Sequence, residues 1–126
     1  MPQITLTISQ NINASLINFK SLFEQIHDAL RSVPNLDVNS AHSGVIQELI
    51  SYIGFDNSKA TKVYLQLYWI ENEERLAIKP ALGKNLLQIL EHYIIPKLVE
   101  QGLICIPRVR IADLGNLNES YFISRK

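Results

Sequence analysis

Two stretches of strict alternation, each followed by a helical stripe and a further extended run, constrain this chain more than any other feature. From Gln3 to Ser9, Ile4, Leu6 and Ile8 alternate with Thr5, Thr7 and Ser9. That period of two predicts a strand with one apolar face. From Lys62 to Ile70, Val63, Leu65, Leu67 and Trp69 fall on one side and Tyr64, Gln66 and Tyr68 on the other. Phe19, Leu22, Phe23, Ile26 and Leu30 recur at three- and four-residue spacing, which predicts a helix from about Leu16 to Arg31. Ser15 is its candidate N-cap, and Pro34 lies where the helix has ended. Leu82, Leu86, Leu87, Leu90, Tyr93, Ile94 and Leu98 form the stripe of a second helix from about Pro80 to Gln101. Pro80 suits its first turn, Pro96 kinks or tightens its last turn, and Gly102 ends it. Extended segments follow each helix: Val38 to Ile50, interrupted near Gly44, and Leu103 to Ile111. A turn-rich loop, Gly54 to Ala60, separates the halves, and a polar tail, Asn116 to Lys126, closes the chain.

The order is therefore β-α-β twice. Lys20, Leu22, Phe23 and Ile26 stand 64 positions before Lys84, Leu86, Leu87 and Leu90, and the same offset carries Val45 onto Val109. This reads as an internal duplication in one domain spanning 1–126, with halves 2–50 and 61–112. The fold class is α/β (α+β): a four-stranded sheet with two helices on one face. Strands are parallel within each half, joined by right-handed crossovers. Two helices cover only one face of such a sheet. The other carries Thr5, Thr7, Tyr64, Gln66 and Tyr68, neither a dry core nor a charged surface. Oligomerisation around a central space would cover it; a monomer would leave it half-polar in water.

Composition narrows the function classes. The 126 residues carry 12 basic and 12 acidic side chains, so no global charge attracts nucleic acid or acidic membranes. A single cysteine, Cys105, forms no internal disulfide, and in an alternating run it reads as a buried apolar residue. No apolar run reaches the roughly 20 residues of a membrane span, and no signal-peptide pattern opens the chain. A cytoplasmic protein is expected. There is no glycine-rich phosphate loop, paired-cysteine zinc pattern or nucleophile elbow. His27 and His92 have no partner at metal-ligand spacing. Tyr64, Tyr68 and Trp69 suit either stacking on a ligand or packing on neighbours.

Met1-Pro2-Gln3-Ile4, opening directly into a strand, the segment Phe19 to Leu30, and Leu76 through Gly83 to Leu87 resemble the tautomerase superfamily, to which the MIF-like proteins belong. Within it the chain looks most like the 5-carboxymethyl-2-hydroxymuconate isomerases. The likeness spans nearly the whole chain. It implies a cofactor-independent isomerase of aromatic catabolism, a homotrimer with sites at subunit interfaces, binding a small carboxylate substrate. Removal of Met1 would leave Pro2 as an N-terminal secondary amine, the general acid/base that moves a proton between carbons of an unsaturated keto or enol acid. The chemistry is sound on physical grounds. Burial beside cations disfavours a protonated amine, and a base tuned towards neutrality both takes and returns a proton.

Site residues carry over one at a time. Pro2 matches the catalytic proline; its plainer role is to start an edge strand. The family's second-strand arginines are absent, replaced by Ala41-His42-Ser43-Gly44, where His42 substitutes only in part because imidazole is mostly neutral at pH 7. Arg75 is the candidate carboxylate binder, or else a solvated arginine beside Glu73 and Glu74; Lys79 is a second candidate. Arg108 and Arg110, spaced i, i+2, share a strand face. They suit a dicarboxylate, or they pair with glutamates such as Glu71 or Glu100. This pair departs from the family, whose members are acidic here. Two other functions remain open: a trimer of the same fold that binds without turnover, and a monomeric ferredoxin-like binding module.

Overall fold

A computed structural model describes residues 2–48, 52–53, 58–59 and 61–113. Met1, most of the expected loop 54–60 and the tail 116–126 lie outside the described residues, as do the last two positions of the segment expected to reach Ile50.

Strand β1 spans Gln3–Ser9 and strand β5 spans Val63–Trp69, as the alternation requires. They pair antiparallel with Leu6 opposite Leu65. Strand β2, His42–Glu48, pairs parallel with β1, and strand β6, Arg108–Asp113, pairs parallel with β5. The sheet order is β2-β1-β5-β6. Val45 is the parallel partner of Leu6 and Val109 that of Leu65, so the 64-residue offset corresponds to equivalent places in the two halves.

Ile4, Leu6, Ile8, Val63, Leu65, Leu67 and Trp69 are all buried in one core. Helix α1, Phe19–Leu30, adds Leu22, Ile26, Ala29 and Leu30. Helix α2, Glu73–Tyr93, adds Leu82, Leu86 and Leu90. The short helix α3, Ile95–Glu100, adds Leu98. Gly102, at φ 73°, ends it: Leu103 N–H reaches back to the Leu98 carbonyl at 2.9 Å, which satisfies a last-turn acceptor.

Several boundaries differ from expectation for identifiable reasons. Helix α1 is capped by Asn18, whose side chain accepts from Ser21 N–H, and not by Ser15. Ser15 belongs to a separate 3-10 turn, Ala14–Leu16, capped by Asn13. Helix α2 begins seven residues before Pro80, because the Asn72 side chain accepts from Arg75 N–H and Glu73 and Glu74 occupy the first turn. Pro80 therefore sits inside the helix, where its missing N–H leaves the Leu76 carbonyl without its usual partner. Strand β2 runs unbroken through Gly44, after a 3-10 turn at Val38–Ser40. Tyr52–Ile53 and Ser58–Lys59 form a small antiparallel ladder, β3 and β4, the second strand falling within the expected loop Gly54 to Ala60. The last ladder begins at Arg108 and not Leu103, since Pro107 has no N–H to donate. The run before it belongs to no strand, with Ile104 92% and Ile106 83% exposed.

The helices cover one face, as the layer argument requires. Leu65→Ala at the sheet centre is expected to cost roughly 2 to 5 kcal/mol. Lys20→Ala, on the exposed side of α1, should cost less than about 0.5 kcal/mol. Urea unfolding of both variants checks this; equal costs would contradict the assigned sidedness.

Candidate functional site

Sheet register decides which residues meet. Pro2 is buried, and its carbonyl accepts a hydrogen bond from His42 N–H at 3.1 Å. It lies one residue beyond the Gln3–Tyr68 pair, which sets it beside Trp69; Trp69 in turn pairs with Asp113. One end of the sheet thus holds Pro2, Trp69 and Asp113 in a row.

The start of α2 folds back over this row. Arg75 stands six residues past Trp69, and its guanidinium lies 5.9 Å from the centre of the Trp69 ring. One Nη group donates to the Ile70 carbonyl, and the other donates to the Asn35 carbonyl at 2.9 Å. Arg75 so ties the end of β5 to the loop between α1 and β2. Its buried Nε–H and the buried indole N–H of Trp69 have no hydrogen-bond partner among the described residues. Two orphaned donors here call for an acceptor, either water or a ligand oxygen. Lys79, one turn further along α2, pairs with Glu71, and Glu71 N–H donates to Asp113 Oδ1 at 3.3 Å.

His42 is exposed on the sheet face away from the helices, in the same row as Gln3, Tyr68 and Ala112. It borders a shallow groove of about 350 Å³ with Gln3, Thr5 and Gly44. Arg108 and Arg110 also occupy this open face, opposite Tyr64 and Gln66. They are paired with neither Glu71 nor Glu100, whose partners are Lys79 and Lys97. Arg110 lies three residues from the Pro2 row and two strands away, about 14 Å from Pro2; Arg108 is about 19 Å away. Within one chain the six candidate residues therefore fall into two groups. Pro2, Arg75, Lys79 and His42 gather towards one end, and Arg108 and Arg110 stand apart.

His27 Nε2 lies 2.8 Å from Ser43 Oγ, and His92 stacks edge-on against Tyr93. No metal-binding group of His, Cys, Asp or Glu occurs among the described residues, and no described helix is long and apolar enough to cross a membrane. Cys105 lies outside any strand, half-buried, with its Sγ 3.4 Å from the Thr61 carbonyl. The residues that reading by sequence missed are Asn35 and Trp69 as partners of Arg75. A backbone carbonyl 40 positions away leaves no mark in the sequence.

No protein-family model matches the chain, and no curated protein does. Solved structures match over nearly its whole length. A 5-carboxymethyl-2-hydroxymuconate isomerase from Deinococcus radiodurans R1 superposes with a TM-score of 0.69 at 17% identity, covering 99% of this chain and 90% of the other. A second 5-carboxymethyl-2-hydroxymuconate delta-isomerase gives 0.66 at 15% identity, covering 100% and 96%. The fold is that of the tautomerase superfamily. A fused 4-OT symmetric trimer has the same tautomerase fold, with a TM-score of 0.58 at 16% identity over 88% of this chain and 84% of that one.

Two outcomes follow from this geometry. Lysine lacks the planar fork that spans two carbonyls, so Arg75→Lys should lose about 1 to 3 kcal/mol of stability in urea unfolding; an unchanged midpoint would contradict the tie. Burial pushes the Cys105 thiol above its ordinary value, against a backbone hydrogen bond at Val63 and the charge of Arg108. The neutral thiol is thus favoured on folding. This stabilises fully below the unfolded-state value and is lost as pH rises through the folded one. Iodoacetamide labelling of folded protein should follow a pH curve displaced to the alkaline side of the unfolded chain's, and coincident curves would contradict the burial effect.

Proposed function

We propose that this chain is a cofactor-independent isomerase of the tautomerase type, acting on small unsaturated keto or enol acids of the hydroxymuconate kind. The observation that carries the reading is Pro2, buried at the entry of the central strand β1, with the cations Arg75 and Lys79 and the imidazole of His42 towards the same end of the sheet. With Met1 removed, Pro2 has a secondary amine with a free lone pair. That nitrogen takes a proton from one position of the acid, leaving a dienolate, and returns it to another carbon. The double bond moves, no electrons leave the system, and the amine is regenerated.

Arg75 is the proposed carboxylate binder. Two Nη donors are engaged by carbonyls, which pre-orients the group, and its Nε–H, without a partner among the described residues, together with the Trp69 indole N–H suits an incoming oxygen. Lys79 adds positive charge, tempered by Glu71, and His42 supplies a further donor on the open face. The separation of Arg108 and Arg110 from Pro2 along the sheet favours a role for them towards that substrate across a subunit boundary. A homotrimer, the form carried by the fused 4-OT neighbour, would bury the open face with its Thr5, Thr7, Tyr64, Gln66 and Tyr68.

A second reading has its own support. The missing second-strand arginines, at Ala41-His42-Ser43-Gly44, suit a trimer that binds an anion without turnover. Intact mass of natively expressed, untagged protein, followed by ultraviolet observation of 2-hydroxymuconate ketonisation, separates the two. The isomerase predicts loss of Met1 and turnover that falls at least about a hundredfold in Pro2→Ala, the scale of a lost general base. Retained Met1 with no turnover would overturn the proline mechanism.

A further inference from the structure

Among the described residues one non-glycine has a positive φ: Asn35, at 57°. Side chains enter that left-handed region at a cost, which is smaller for asparagine than for most and largest for β-branched residues. Asn35 follows Pro34 in the loop between α1 and β2, and it is exposed. Buried Val33 and Val38 anchor the loop on either side, and Leu36 packs against the core. An exposed residue gains no core packing from its own backbone conformation. Such outliers gather where a site needs a group held in place.

The group presented here is the Asn35 carbonyl. It accepts from an Nη of Arg75 at 2.9 Å, across 40 positions of chain. The other Nη donates to the Ile70 carbonyl, and the guanidinium lies 5.9 Å from the centre of the Trp69 ring. A planar fork held at both Nη groups is fixed in its plane, and this sets the direction of its Nε–H. That Nε–H is buried, without a partner among the described residues. The Ile70 carbonyl is local, five residues before Arg75 in the chain. Asn35 supplies the long-range half of the grip.

We infer that Asn35 is a positioning residue, its left-handed backbone holding the Arg75 guanidinium against Trp69 so that Nε–H is aimed at the substrate carboxylate. The inference rests on the isomerase reading for the identity of the ligand and adds what aims the arginine. Asn35 acts through its main-chain carbonyl. Glycine, free at positive φ, therefore serves in its place, and valine, which strongly disfavours that region, does not.

Calorimetric titration with trans,trans-muconate, a dicarboxylate without the enol, tests this in Asn35→Gly, Asn35→Ala and Asn35→Val. Emission of Trp69, the sole tryptophan, reports the guanidinium against its ring without any need for turnover. Asn35→Val should weaken muconate binding at least about tenfold and shift the emission, and Asn35→Ala should fall between it and Asn35→Gly, which should bind within about twofold of wild type. In turnover of 2-hydroxymuconate, Asn35→Val should raise KM about tenfold and leave kcat within about twofold, because the carboxylate contact is the same in ground and transition states. Added to Arg75→Ala, Asn35→Val should shift the emission no further. Undiminished affinity in Asn35→Val, or equal losses in Asn35→Val and Asn35→Gly, would overturn the role. So would a further emission shift in the Arg75→Ala background, or no muconate binding by wild type. Turnover that needs Pro2 but ignores Asn35→Val would leave the isomerase reading standing without this inference. Muconate binding that follows the Asn35 series in a protein without turnover would leave the positioning role standing without the isomerase.

Discussion

Everything else in this molecule depends on the antiparallel pairing of β1 with β5, centred on Leu6 opposite Leu65. Each strand puts a continuous apolar edge on the same face, and a slip of one residue would turn that edge to the wrong side. The register is thereby held by burial on both strands at once. It requires helices above that face and leaves Thr5, Thr7, Tyr64, Gln66 and Tyr68 below it. It also relates the halves, because each central leucine carries a valine partner on its parallel neighbour, Val45 or Val109.

The same register sorts the charges. Because β1 runs opposite to β5 while β6 runs with it, the beginning of the first strand meets the ends of the other two. Pro2, Trp69 and Asp113 meet for that reason, without any local sequence relation among them. Asn72 starts α2 immediately after β5, which brings Arg75 back over Trp69 within two turns of chain. Arg108 and Arg110 enter β6 from the far end and so stay distant from Pro2. One chain thus presents two cationic regions, one around a buried proline and one along an open sheet edge.

How much of this could be read from the residues depended on whether the cause was local. The alternation in β1 and β5 fixes the face each strand buries, because the period of two has no other good explanation, but not which strands pair. The helical stripes located the buried leucines well but their ends poorly. Pro80 looked like a first-turn residue, yet Asn72-Glu73-Glu74 is the stronger start signal, combining a side-chain cap with favourable charge. Pro107 delayed the last ladder, and Gly44 did not interrupt β2. The shared face of Arg108 and Arg110 was legible from their spacing. The carbonyls that hold Arg75 were invisible, since every residue has one.

The account turns on whether the Pro2 nitrogen is a reactive secondary amine. The most direct measurement is peptide mass mapping of the natively processed protein after exposure to an acetylenic 2-oxo acid, an electrophile shaped like the proposed substrates. The account predicts one adduct per chain, on Pro2, with Cys105 spared at neutral pH by the burial that suppresses its thiolate. An unmodified Pro2, or labelling confined to Cys105 and surface lysines, would contradict it.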